Sequence, residues 1–222
     1  MENSIKQVFE KARKIVIKIG SNTLANQDGK INLDFMNQLA SQCATLIEAG
    51  KQIVLVSSGA QVAGVSTIDR WARKKDIHYR QALCAIGQVE LMDHWRKAFA
   101  QYGYHIGQLL LTKEDFLDPH RTLNMRNTLF TLVDEGVVPI INENDTVSTD
   151  EIEIGDNDTL SAIVTANINA DLLVLLSDID GLYDKDPHKY SDAKLISEVE
   201  EITEDARYPV LTVHSFHWSH NC

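Results

Sequence analysis

The chain has 222 residues, of which 44% are hydrophobic and 24% charged, and its formal net charge at pH 7 is −11. This length and composition are ordinary for one soluble globular domain with a substantial core. The acidic balance argues against nonspecific binding to nucleic acid or to an anionic membrane, since both reward a basic surface. We therefore expect no nucleic-acid partner and no membrane partner. A nucleotide-binding site is compatible with this negative net charge, because such sites rely on local backbone amides and one or two lysines.

The cellular compartment is inferred from the lack of a recognisable targeting segment and from the cysteine pattern. Residues 1–19 scatter charged side chains among apolar ones, so they contain no apolar core of a signal peptide. No apolar run is long enough to cross a membrane. The three cysteines, Cys43, Cys84 and Cys222, are far apart, odd in number and in no metal-binding or CxxC spacing. These features predict reduced thiols in a cytoplasmic protein.

Strand-like and helix-like segments alternate along the chain. In chain order the patterns predict strands at 14–19, 52–56, 106–111, 137–141 and 172–176, and helices over about 33–47, 79–102 and 122–135, with another after residue 158. Glycines close the first three helices at Gly50, Gly103 and Gly136. Strands that are apolar on both faces and separated by helices indicate a mostly parallel sheet covered on both sides. The expected fold is an α/β, three-layer αβα sandwich.

One long segment is unusually acidic. No lysine or arginine occurs between Asn127 and Asp184, although many carboxylates do, and the densest polar runs are 141–145 and 155–158. Clustered carboxylates repel one another unless a cation, an amine or hydrogen-bond donors offset them. The alternative is a solvated acidic loop. Because the run follows a buried strand, where open α/β sheets bind ligands, we favour a site for an amine-bearing or magnesium-bound substrate.

Common nucleotide-binding fingerprints are absent from the sequence. Gly59 and Gly64 have P-loop spacing, but Val65 stands where the lysine is required. No GxGxxG follows a strand, and the protein-kinase signature residues are missing. The known ATP-site motifs therefore do not explain the polar turns of this chain.

Three polar turns instead follow predicted strands. Lys18 lies inside an apolar strand just before Gly20 and Ser21, and a buried lysine is costly unless an anion pairs with it. The alternative for Lys18 is an edge-strand lysine whose amine reaches solvent. The turn 57–60 offers hydroxyls and approachable amides at a helix start, which suit an anion, although a simple capped turn has the same pattern. A third polar turn begins at Ser177.

The motifs occur in a fixed order: Ile17-Lys18-Ile19-Gly20-Ser21, Val56-Ser57-Ser58-Gly59-Ala60, Asn142-Glu143-Asn144-Asp145, Gly155-Asp156-Asn157-Asp158, and Ser177-Asp178 with Gly181-Leu182-Tyr183. This set resembles the amino acid kinase family and, within it, the glutamate 5-kinases, from about Ile15 to about Ile202. Acetylglutamate kinases would carry His-Gly-Gly at the second strand, and aspartokinases Phe-Gly-Gly-Thr after the first lysine. The resemblance predicts a kinase domain over 1–209 and an atypical tail at 210–222.

The resemblance implies ATP-dependent phosphorylation of the γ-carboxylate of L-glutamate, the first step of proline biosynthesis. ATP with Mg²⁺ and L-glutamate would be its small-molecule partners. A homo-oligomer, dimer or tetramer, and feedback inhibition by proline are further expectations from the family. Another acid kinase of the family, such as one acting on aspartate, is an alternative within the same class.

Matching the motif positions assigns roles to individual residues. The residues expected along the phosphates and the nucleotide are Lys18, Gly20, Ser21, Ser177 and Asp178, with Lys18 also contacting the transferring phosphoryl group. Those expected to bind glutamate are Ser58, Gly59, Asp145 and Asn157. Two carboxylates would organise the lysine or the magnesium ion: Asp156 and Asp158. No protein side chain is expected to bind a metal directly.

The C-terminal segment departs from the family pattern. Relatives continue after the equivalent of Ile202 into a Gly-Thr-Gly-Gly-Met segment with a second lysine, and nothing here matches it. Three histidines and a cysteine at 214–222 have spacings that do not converge on one tetrahedral ion. A truncated or out-of-frame end is therefore favoured over a metal site. A second function class follows: a non-catalytic remnant that binds glutamate or nucleotide.

Overall fold

The computed structural model describes residues 2–69, 75–148 and 157–199, with side chains from residue 5 onward. The contact pattern divides the chain into two compact units, Met1–Val174 and Leu175–Cys222, and each is described by itself. The tail predicted at 210–222 and the proposed supporting residue Asp156 lie outside the described residues. The assignment of 1–209 to one kinase domain stays a prediction.

The first unit alternates helices with the strands of one sheet. The strands are β1 (Lys14–Ile19), β2 (Gln52–Ser57), β3 (Ile106–Leu111), β4 (Val138–Glu143) and β5 (Leu172–Leu176), within which the unit boundary falls. The helices are α1 (Glu2–Lys11), α2 (Leu33–Glu48), α3 (Ala60–Ile68), α4 (Ile77–Ala100), α5 (Pro119–Asp134) and α6 (Asn157–Asn167), and a 3-10 helix covers Lys113–Phe116. The sheet order is β3-β4-β2-β1-β5, and the pairs β1–β2, β2–β4 and β3–β4 are parallel.

Both faces of the sheet are covered, as the apolar strands predict. On one face Val16, Val54 and Ile141 pack with Met125 of α5 and Leu160 of α6. Alternate strand residues point the other way, and on that side α2 packs against β2 and α4. The predicted three-layer α/β fold with a mostly parallel sheet is therefore confirmed. Among the described helices, none is both long and apolar enough to span a membrane.

Helices α1 and α3 were not predicted, and several other boundaries differ from the prediction by one or two residues, with the largest difference at the start of α5. Helix α5 begins at Pro119, because the Asp118 carboxylate accepts hydrogen bonds from the His120 and Arg121 amides and caps the helix before the predicted start. Strand β4 continues to Glu143, because Asn142 and Glu143 still pair with β3. Two polar residues of the acidic run thus belong to the sheet and have fixed backbones.

The second unit contains a short antiparallel pair, β6 (Leu182–Tyr183) and β7 (Leu195–Ile196). The Asp184 carboxylate accepts from the Lys194 amide, and the Lys185 ammonium bonds to Asp192. These contacts close the loop between the two strands.

Two glycines allow α3 and α4 to touch backbone to backbone. A Cβ at Gly87 would overlap the carbonyl oxygen of Ala60, and one at Gly64 would overlap that of Leu83. Backbone atoms cannot move aside as a flexible side chain can, so neither position accommodates even a methyl group.

We therefore expect Gly87→Ala to lower the free energy of unfolding by about 2 kcal/mol or more, as overpacking of a close contact does. Val89→Ala, on the exposed side of the same helix, should change it by less than about 0.5 kcal/mol. Urea unfolding of both variants measures the difference. Equal stability of the two would mean that the helices separate at little cost.

Candidate functional site

Three neighbouring strands of the sheet end at the same edge. Because β1, β2 and β4 are adjacent and parallel, the residues that close them lie side by side, with Ile19 opposite Ser57 in the register. Helix α6 begins at Asn157 and contacts all three strands. The carboxyl edge of the sheet therefore gathers polar residues from chain segments that are far apart in sequence.

Lys18 is held at this edge by an ion pair. Its residue is only 8% exposed, and its Nζ lies 2.6 Å from Oδ1 of Asp158 in the first turn of α6. A buried ammonium needs such an anion to offset its lost hydration. Gly20 and Ser21 follow directly in the turn after β1 and are half-buried. Lys18 is thus paired with Asp158, one of the two carboxylates that the family resemblance suggested would organise the lysine or the magnesium ion.

Beside the ion pair, side-chain amides form a buried hydrogen-bonded chain. Nδ2 of Asn157 donates to Ser58 Oγ at 2.7 Å and to Asn142 Oδ1 at 3.0 Å. Nδ2 of Asn142 in turn donates to Oε1 of Gln88, on α4, at 2.8 Å. Asn157 is 1% exposed, so these bonds are shielded from water. Strands β2 and β4 and helices α4 and α6 therefore share one polar network.

The end of β2 has a second layer of support. The indole Nε1 of Trp95, a fully buried residue of α4, donates to Ser57 Oγ at 3.0 Å. The Ser57 hydroxyl donates to the carbonyl oxygen of Ser58 at 3.0 Å, and the Ser58 amide donates to the Ile19 carbonyl. Gly59 then adopts a φ of 101°, in the left-handed region that favours glycine. The backbone that carries Ser58 is therefore rigid.

Asp145 is a buried carboxylate next to this network, with 7% of its residue surface exposed. Burial is the largest cause that raises the pKa of Asp145, to about 6, and the negative charge of Glu143 raises it further. The hydrogen bond from the Cys84 thiol and the positive charge of Arg80 act in the opposite direction and lower it. At neutral pH Asp145 is ionised, but at a cost that a cationic ligand would relieve. An ammonium group is a suitable ligand for such a carboxylate.

Two of the remaining predicted residues belong to the second unit, and a third lies outside the described residues. Ser177 and Asp178 lie in the second unit, where the Ser177 hydroxyl donates to Oδ1 of Asp178 at 3.0 Å. Asp156 falls outside the described residues. Within residues 2–69, 75–148 and 157–199, no group of three or more histidine, cysteine or acidic side chains is arranged to hold a metal ion.

Several residues of the site had no role assigned from the sequence, among them Gln88, Trp95, Cys84 and Asn142. Asn142 belongs to the dense polar run 141–145, so the sequence pattern could have identified it as a site residue. The other three lie on α4, inside a helical pattern in which nothing distinguishes them from ordinary helix residues. Only the packing of α4 against the strand ends identifies them.

Sequence comparison links the chain to one protein family. The sequence profile of the amino acid kinase family matches residues 13–209. Glutamate 5-kinases from Alkaliphilus oremlandii and Alkaliphilus metalliredigens are each 61% identical to the chain, over 89% and 90% of it and over 75% and 76% of their own lengths. The glutamate 5-kinase of Methanococcoides burtonii is 50% identical over 89% of the chain, which spans 53% of that protein.

A solved structure shares the fold. The UMP kinase from Bacillus anthracis superposes with a TM-score of 0.55 at 17% sequence identity, over 83% of this chain and 72% of its own. At this identity the likeness concerns the architecture alone. Together with the profile match and the close relatives, it shows that the chain belongs to the amino acid kinase family.

Proposed function

We propose that this protein transfers the γ-phosphoryl group of ATP to the γ-carboxylate of L-glutamate, giving L-glutamyl 5-phosphate and ADP. The observation that carries the proposal is the buried network of Ser58, Asn142 and Asn157 beside Asp145 and the Lys18–Asp158 pair. It offers donors, acceptors and a carboxylate to a small zwitterion, and a lysine to a phosphoryl group. The names of the close relatives support the same reaction.

In this proposal Asp145 receives the ammonium group of glutamate. A carboxylate that burial has made costly is stabilised when a cation binds it. The free carbonyl oxygen of the Asn157 amide, Oδ1, has no hydrogen-bond partner among the described residues and is a second acceptor for the same group. The Ser58 hydroxyl already accepts from Asn157, so its own hydrogen can be donated to a carboxylate oxygen.

Lys18 acts at the transferring phosphoryl group. The γ-carboxylate is ionised at neutral pH, so its oxygen attacks the γ-phosphorus without a general base, and the bond to the ADP oxygen breaks. Phosphoryl transfer depends on positioning and on offsetting charge at the equatorial oxygens. The ion pair with Asp158 holds the Lys18 ammonium at the strand end, where it supplies that charge.

The nucleotide side of the proposal rests on the family. Gly20, Ser21, Ser177 and Asp178 are the residues proposed to hold ATP. Mg²⁺ would enter with the ATP phosphates, to which it binds while keeping several waters, and would offset their charge. A place in proline biosynthesis, proline inhibition, a dimeric or tetrameric state and a cytoplasmic location belong to the same proposal.

The first test is release of ADP from Mg-ATP with L-glutamate, with L-aspartate and N-acetylglutamate as controls. We expect turnover that requires glutamate. Turnover with aspartate instead would replace the substrate assignment by another acid kinase. Silence with all three, together with measurable glutamate binding, would establish a non-catalytic binding protein.

Two substitutions separate the proposed roles of the site. Lys18→Ala should lower kcat by about 10²–10³-fold, the usual cost of losing an electrostatic donor, while glutamate binding changes little. Asp145→Ala should raise the KM for glutamate and leave the KM for ATP unchanged. Lys30→Ala, at an exposed loop position, is the matched control. An unchanged glutamate KM in Asp145→Ala would contradict the substrate-site assignment.

The raised pKa of Asp145 also predicts a dependence on pH. Its native pKa of about 6 exceeds the ordinary value of 3.8, so the native state holds the proton more tightly than the unfolded state. The stability that this group contributes is complete below pH 4 and is lost as the pH rises through about 6. We expect ligand-free protein to lose roughly 1–3 kcal/mol over this window through Asp145.

Asp145→Asn should remove that loss, whereas Asp134→Asn, at the exposed end of α5, should retain it. Glutamate affinity should change in the opposite sense and increase as the pH rises through about 6, since only the ionised carboxylate pairs with the ammonium. Urea unfolding and calorimetric titration at pH 4.5 to 7.5 measure both effects. A pH-independent difference between wild type and Asp145→Asn would refute this account of Asp145.

A further inference from the structure

Helix α4 presents one face to the candidate site. Cys84 and Gln88 are four residues apart, so their side chains lie on the same side of the helix. The Cys84 thiol donates a hydrogen bond to Asp145, and the Gln88 side chain accepts one from Asn142. The helix therefore contacts both ends of the polar cluster, one turn apart.

The direction of every hydrogen bond in the network follows from one backbone group. The Glu143 amide, which can only donate, bonds to the Asn142 side chain at 2.9 Å, so the atom facing it is the oxygen Oδ1. Nδ2 of Asn142 therefore points at Gln88, and the Gln88 atom that receives it is the oxygen Oε1. The Gln88 NH₂ group, Nε2, is left facing away from Asn142.

This arrangement leaves one donor and one acceptor unused. Gln88 Nε2 and Asn157 Oδ1 are both shielded from solvent, and neither has a hydrogen-bond partner among the described residues. A buried polar atom without a partner is costly, so such atoms mark places where a ligand or an ordered water completes the network. A free donor and a free acceptor linked through Asn142 match the carboxylate and the ammonium of an amino acid.

We propose that Gln88 binds the α-carboxylate of the amino acid substrate through Nε2. The inference rests on the proposed function and adds a residue of α4 to the substrate site. Lys18 and Asp158 mark the end at which the phosphoryl group transfers, so the γ-carboxylate lies there. Cys84 touches the proposed ammonium-binding residue Asp145, one helical turn from Gln88. The α-carboxylate shares a carbon with the ammonium, so it is the carboxylate within reach of Gln88.

A pair of ligands isolates this contact. 4-Aminobutyrate is glutamate without the α-carboxylate, and it keeps the amine and the distal carboxylate. Calorimetric Kd values for both ligands are measured on the wild type, Gln88→Met and Gln88→Glu. We expect Gln88→Met to weaken glutamate binding about 10-fold or more, the usual loss for a hydrogen bond to a charged group. Its Kd for 4-aminobutyrate should change by less than about twofold.

Gln88→Glu separates substrate binding from a purely structural role. A carboxylate at this position still accepts from Asn142 Nδ2, but it has no NH₂ group to donate and it repels the α-carboxylate. We expect it to weaken glutamate binding at least as much as Gln88→Met does. Wild-type affinity in Gln88→Glu would mean that Gln88 only orients Asn142, and would overturn the proposal. Equal losses for both ligands in Gln88→Met would overturn it as well.

Two controls keep the outcomes apart. Gln81 lies on the same helix, and its side chain contacts His78. Gln81→Met should therefore leave both Kd values unchanged. Melting temperatures identify variants that fail to fold. If wild-type protein binds no glutamate, the proposed function fails. If it binds glutamate and the Gln88 variants bind it equally well, only the assignment of Gln88 fails.

Discussion

The site depends on how closely α4 packs against α3. Gly64 and Gly87 remove the side chains that would separate the two helices, so their backbones are in contact. That contact brings α4 to the carboxyl edge of the sheet, where Trp95 reaches Ser57 and Gln88 reaches Asn142. With the helix even one methyl group farther away, hydrogen bonds of about 3 Å would be broken. The glycines are therefore structural residues with a consequence for binding.

Three carboxylates in the described part of the acidic stretch have different surroundings. Asp158 pairs with Lys18, which reaches it from the interior of β1. Glu143 is incorporated into the sheet through its pairing with Leu111, and Asp145 is buried beside the Cys84 thiol. The charge of Asp158 is thus offset by an ammonium group, whereas Asp145 receives only a thiol hydrogen bond and the nearby charge of Glu143 raises its pKa further. Burial makes the ionised form of Asp145 costly, as its raised pKa indicates. A bound amine would relieve that cost.

The sequence predicted the layers of the fold because buried parallel strands are apolar on both faces and need helices between them. The resemblance to the amino acid kinases also assigned Lys18, Ser58, Asp145 and Asn157 to one predicted site, and in the structure Asn157 donates a hydrogen bond to Ser58. It did not identify Gln88, Cys84 or Trp95, because their contacts are between elements and leave no local pattern. The extension of β4 through Glu143 was missed for a related reason. Pairing with β3 determines where the strand ends, and the polar residues Asn142 and Glu143 do not match the apolar pattern of a buried strand.

The environment of Trp95 affects the ultraviolet spectrum of the protein. Its indole is fully buried and hydrogen-bonded to Ser57, whose hydroxyl in turn bonds to the carbonyl of Ser58. The ultraviolet absorption and emission of an indole depend on the polarity around it and on the hydrogen bond at its nitrogen. Trp95 therefore serves as an intrinsic optical probe of the end of β2. A change in the strand end on ligand binding would alter its spectrum without any attached label.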